Sequence, residues 1–301
     1  MTLVEFPSFR RARGTLPFII GVLSLVLIVL FPLLPPALLH TFAAALFAAL
    51  LFQSLLGAGY ASFHAAALTA LTFAQAGILL SAAGRAGSIW LALASFCVAM
   101  TAAEFVRHRD ARRVMALGGA LSLAQLLDPL GGLLAVFLLP LCVGLPRSGE
   151  TRAKAGLLAL LLFMPVVTAL VLAYFRVFLG VEATLHRVPP PDTQMPLAVL
   201  LCIAFASAPV LWLTTMVPRL NCPPGLITVY TALALLLATT LSVLTGALPD
   251  LTSLLAAGAA ISAAALCTWK PSPQNQSLAL AATALGAVLS WLLLNLSTLV
   301  L

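Results

Sequence analysis

In a chain this apolar, chemistry has to come from a handful of polar side chains, and Asp128 is the first candidate. It sits in "AQLLDPLGGLLAVF" (124–137) and is the only charged residue between Val114 and Leu145. An ionisable group inside a bilayer is costly enough to count as a functional hypothesis by default. With Gln125 in the same stretch, Asp128 could meet a proton, a cation or a substrate hydroxyl in an outward-facing cavity. The competing reading is an Asx-type turn, in which the carboxylate caps amides freed by Pro129 and Gly131–Gly132 complete the bend.

Three arginines form a second candidate group. Arg176 lies in "AYFRVF" near the end of an apolar run, where it can snorkel to the headgroups or, with Arg85 or Arg187, hold the phosphate of a lipid-linked substrate. Glu104, one turn before Arg107 and Arg109, reads as an interfacial ion pair. Asp250, after Pro249, reads as a helix cap. His40, His64, His108 and His186 show no metal-ligand spacing. Cys97, Cys142, Cys202, Cys222 and Cys267 fall singly in or beside apolar segments and read as packing residues. Gln53, Gln75, Gln125 and Asn295 are expected to make interhelical hydrogen bonds. No motif calls for a metal or a cofactor.

What must position these groups follows from composition. Hydrophobic residues make up 62% of the 301 and charged residues 8%, with a mean hydropathy of +1.15. Soluble domains carry about 25% charged residues, so the expectation is an all-α, polytopic integral membrane protein forming one membrane domain over 1–301. At about 20 apolar residues per crossing, the spans fall at 15–36, 38–57, 63–83, 87–106, 155–179, 196–217, 225–247, 250–269 and 277–299. Segment 114–145 is too long for one upright helix. Broken at Asp128-Pro129, each half of about 15 residues would reach about 22 Å, which suits a pair of short helices turning back inside the bilayer.

Charge tests that hairpin. Positively charged loops stay cytoplasmic. With 1–14 inside and 114–145 counted as two passes, twelve basic residues face the cytoplasm, against Arg85, Arg176 and Arg187 outside. Counting the segment once nearly erases the bias. The map then has about eleven passes, the N-terminus cytoplasmic and 180–196, with its triple proline, as the longest outer loop. The net charge of +7 becomes a topology signal with some attraction for anionic lipid; nucleic acid is not an expected partner. The high Ala, Leu and Gly content suggests a bacterial inner membrane. The stretch "LLAAGAAISAAAL" (254–266) offers small residues for close helix contact.

The run "FVRHRDARRVMALGGALSLAQLLDPLGGLLAVFLLPLCVGLPRSGETRAKAGLLALLLFMPVVTALVLAYF" (105–175) combines a span end, a basic loop, two short helices broken at a turn, a second basic loop and a long returning span. Over this quarter of the chain it resembles the central membrane module of the GT-C glycosyltransferases, polytopic enzymes that use polyprenyl-phosphate sugars. The resemblance implies a catalytic acid in the first outer loop. Here that loop, "LLPPALLHT" (33–41), contains no carboxylate, and the nearest acid, Glu5, belongs to the opposite side.

Three functions follow as expectations. The first is a non-catalytic membrane subunit or scaffold of GT-C-like architecture, holding lipid or polyprenyl chains and a protein partner in an envelope or polysaccharide assembly. The second is a small-molecule transporter of ten or eleven spans with Asp128 at its binding site, since broken helices at the midplane mark such sites. The third is a lipid-linked glycosyltransferase with Asp128 as its catalytic acid.

Overall fold

The computed structural model describes residues 36–85, 88–108, 111–127, 251–268 and 272–300, together with Val166, Val167 and Leu170, and among the described residues seven helices have defined bounds. They are α1 (Pro36–Ala58), α2 (Ser62–Phe73), α3 (Ala76–Ala82), α4 (Ile89–His108), α5 (Ala111–Leu127), α6 (Leu251–Leu266) and α7 (Pro273–Val300). Among the described residues there are no strands, in keeping with the all-α expectation. Two stretches, Leu38–Ala58 and Gln276–Asn295, are long and apolar enough to cross a membrane, and the pair α2–α3 makes a third if its bent halves count as one span. Large apolar side chains on the outer faces, Leu38, Phe42, Phe63, Met115, Leu285 and Leu292 among them, are exposed. A lipid environment suits that surface; water does not.

The helix ends follow local chemistry. Gly59 takes a φ of +99° and closes α1: its N–H donates to the Leu56 carbonyl (3.0 Å) and that of Tyr60 to the Leu55 carbonyl (3.1 Å). Gly84, at φ +65°, closes α3 in the same way through Ser81 and Leu80. Both ends are Schellman caps, which need a left-handed residue that only glycine adopts cheaply. Ser88 begins α4, its hydroxyl accepting the Leu91 N–H at 3.2 Å.

At the centre is α6, with every residue from Thr252 to Leu266 buried. Its closest neighbours are α4 and α3. Lipid tails are as apolar as leucine, so burial alone does not drive helices together in a membrane; close van der Waals packing does, and small residues permit it. The alanine-rich face of α6 allows that approach, and Gly77 of α3 completes it. A methyl group added at Gly77 would lie 2.7 Å from the Leu255 carbonyl carbon. Beside this contact, Phe47 of α1 packs between Phe73 of α2 and Phe96 of α4, at ring-centroid distances of 5.4 and 5.3 Å.

Two contacts set the sides of the bundle. The buried Tyr60 hydroxyl, in the α1–α2 turn, donates to the Leu266 carbonyl at the end of α6 (3.2 Å). Burial, with Cys267 adding to it, pushes the Tyr60 phenol above its ordinary range, so it stays a donor. At the opposite end, the His40 ring near the start of α1 lies against Gly84.

Two sequence expectations change. Segment 63–83 is not a single straight span: α2 and α3 meet at 79° across Ala74–Gln75. The basic loop after the fourth span shrinks to the step between His108 and Ala111, so Arg107, Arg112 and Arg113 belong to helices. The ion pair expected at Glu104 is present, and it reaches across that corner to Arg113 of α5, at 3.6 Å. Of the expected hairpin at 114–145, α5 is described as far as Leu127. The turn at Asp128-Pro129, the N-terminal segment 1–14 and the loop 180–196 lie outside the described residues.

Candidate functional site

The corner between α2 and α3 is the one place among the described helices where backbone polar groups inside an apolar segment are left without their helical partners. Its sequence, "SFHAAALTALTFAQAGILLSA" (62–82), contains no proline, and its only glycine falls inside α3. Sharp kinks without proline usually arise where a side chain inserts into the hydrogen-bond ladder, and here α7 supplies two. The Ala76 N–H donates to the Ser290 hydroxyl oxygen (3.0 Å), and the Trp291 indole N–H donates to the Ala74 carbonyl (3.0 Å). Ser290 in turn donates to the Ala287 carbonyl of its own helix (2.8 Å). Within α2, the Thr72 hydroxyl donates back to the Leu68 carbonyl (2.8 Å), a bond that loosens the last turn before a bend.

Gln75 occupies the corner itself, with extended backbone angles of φ −66° and ψ 136°. Its side chain is 3% exposed, and its amide oxygen has no hydrogen-bond partner among the described residues. The sequence suggested interhelical hydrogen bonds for such glutamines; this oxygen makes none. A buried acceptor left bare costs roughly 1–3 kcal/mol, so the bent arrangement carries a penalty that its neighbours offset. Nothing in the sequence singled Gln75 out from Gln53, which is exposed on α1. The distinguishing signal, a polar residue in an otherwise helix-favouring apolar run, is shared by both.

Of the residues singled out from sequence, the described ones, Arg85 and Gln125, do not gather here. Arg85 follows the Gly84 cap and is exposed. Gln125 is half-buried in the last turn of α5, and among the described residues it shares no hydrogen bond with Arg85. Asp128, Arg176 and Arg187 lie outside the described residues. Glu104 is the single carboxylate among the described side chains, and it faces Arg113. Among the described residues no three His, Cys, Asp or Glu side chains come together as metal ligands.

The described site is therefore a broken apolar helix, pinned by α7 and carrying one buried amide. No family model matches the chain, and comparison with curated proteins and with solved structures finds no match either.

Proposed function

We propose that this chain is a non-catalytic polytopic membrane subunit or scaffold of GT-C-like architecture, holding lipid or polyprenyl chains beside a protein partner in a bacterial inner-membrane assembly. The observation that carries this reading is α6: a helix buried from Thr252 to Leu266 and packed against α3 and α4, inside a bundle with exposed apolar side chains on its outer faces. Tyr60, Ser88, Ser290, Trp291 and the Glu104–Arg113 pair close helix ends and corners. That is the work of a framework. Native extraction tests it: a chain that leaves the membrane alone, monodisperse and stable, with no protein partner, refutes the subunit role.

The eleven-pass map belongs to the same proposal. Tyr60 and Leu266 meet, so the α1–α2 turn and the end of α6 share one side of the bundle. With 114–145 counted as a returning hairpin, the chain makes an even number of crossings between them and the map agrees. Counted as one span, it would place the two on opposite sides. The bond thus supports a hairpin at Asp128 from evidence independent of the charge count.

The bent α2–α3 pair favours a second reading, the small-molecule transporter, since interrupted helices in a membrane line binding sites. With a break at 74–75 besides the one expected at 128–129, the chain would carry two discontinuous elements. Reconstituted uptake that is unaffected by both Asp128→Asn and Gln75→Leu would remove this reading.

A further inference from the structure

The α2–α3 corner is bridged by two side chains of α7. In an uninterrupted helix the Ala76 N–H would pair with the Thr72 carbonyl, and the Ala74 carbonyl with the Ile78 N–H. Those two groups, Ala76 N–H and Ala74 C=O, are the ones that Ser290 and Trp291 occupy. The two side chains of α7 therefore compete directly with helix continuity. The local sequence favours continuity: between Ser62 and Ala82 it is mostly alanine and leucine, with no proline. The bent state also leaves the Gln75 amide oxygen bare in a buried place.

We propose that Ala74–Gln75 is a hinge, and that Ser290 and Trp291 form the latch that keeps α2 folded against α7. The moving arm is α2. Helix α3 is fixed on α6 by the close approach at Gly77, whereas α2 exposes Ser62, Phe63, Ala66 and Ala70 along one flank. The Tyr60–Leu266 bond restrains the far end of the arm, so releasing the latch alone yields a mixture of bent and extended chains. The hinge is independent of the scaffold and transporter readings.

The test is a distance measurement on the full chain in lipid nanodiscs, with its five cysteines replaced by alanine and spin labels at Ser62→Cys and Ala83→Cys, two exposed positions. At 1.5 Å per residue and a 79° bend the labelled backbones stand about 25 Å apart, against about 32 Å for a continuous helix. The parent should show the shorter distance, and Ser290→Ala/Trp291→Phe should add a population near the longer one. Adding Ala76→Pro should abolish that population, because proline fits the first turn of α3, the extended Gln75 suits the position before it, and a proline at 76 cannot join a continuous ladder. A double variant that keeps only the shorter distance overturns the hinge, since the bend would then be set locally. A broad distribution that Ala76→Pro fails to narrow overturns it as well, since Ser290 and Trp291 would then be supporting the whole fold.

Discussion

Replacing Gly77 by alanine tests the central packing contact, because two effects of opposite sign compete there. In an exposed helix interior alanine is better than glycine by about 1 kcal/mol. At Gly77 the new methyl would stand 2.7 Å from both the carbonyl carbon and the Cβ of Leu255, where carbon atoms prefer about 3.5–4.0 Å. The overlap is therefore about 1 Å. It falls on backbone of α6 that cannot rotate away, so α3 has to retreat. Overpacking of this kind costs about 1–3 kcal/mol, and retreat also loosens the contacts of Ile78 and Ser81, which are buried on the same short helix. The loosened contacts push the cost toward the upper part of that range, so Gly77→Ala should destabilise the protein, by up to about 2 kcal/mol net. Gly119, inside α5, is the internal control: a methyl there meets nothing within 4 Å, so Gly119→Ala should stabilise by up to about 1 kcal/mol. Reversible denaturation in mixed micelles, followed by tryptophan fluorescence, reads both. Should the Gly77 variant prove as stable as the parent while the Gly119 variant gains, α3 and α6 do not pack as described.

Tyr60 predicts an alkaline limit. Its phenol is raised above the usual value of 10.0 by burial, so the folded protein holds that proton more tightly than the unfolded chain. The stability this contributes is present below about pH 10 and is lost as pH rises beyond it. Melting curves of Tyr60→Phe should accordingly flatten above that pH relative to the parent, and identical alkaline slopes would refute the assignment. Glu104→Gln should change stability by less than about 1 kcal/mol, because the ion pair with Arg113 is partly exposed at 22% and 30% and such pairs contribute little; a larger loss, measured by the same denaturation, would mean that the corner depends on it. For topology, Ser148→Cys and Ser62→Cys should react with an impermeant maleimide from the same side of sealed vesicles. Labelling from opposite sides would remove the hairpin at Asp128. Purified chain offered a polyprenyl-phosphate sugar should show no turnover; turnover abolished by Asp128→Asn would establish the glycosyltransferase reading in place of the scaffold.

Composition and apolar run length pointed to the class: an 8% charged chain in long hydrophobic stretches reads as helical and membrane-spanning, because a helix satisfies its own backbone within one segment, and the described residues are helical with two or three stretches able to cross a membrane. The same rule located α1, α4, α6 and α7 to within a few residues, and the small-residue stretch 254–266 correctly marked a packing surface. What run length could not reveal was the corner at Gln75. Hydropathy counts how apolar a segment is, and "LTFAQAGI" is apolar whether it is straight or bent. The bend depends on Ser290 and Trp291, more than two hundred residues away, and on a glycine whose value lies in what approaches it. Likewise Glu104 has basic residues nearby in sequence on its own helix, and only the folded chain brings Arg113 of α5 to it. Local sequence sets the preference of each segment; the groups that override that preference come from elsewhere in the chain, and only tertiary structure brings them into contact.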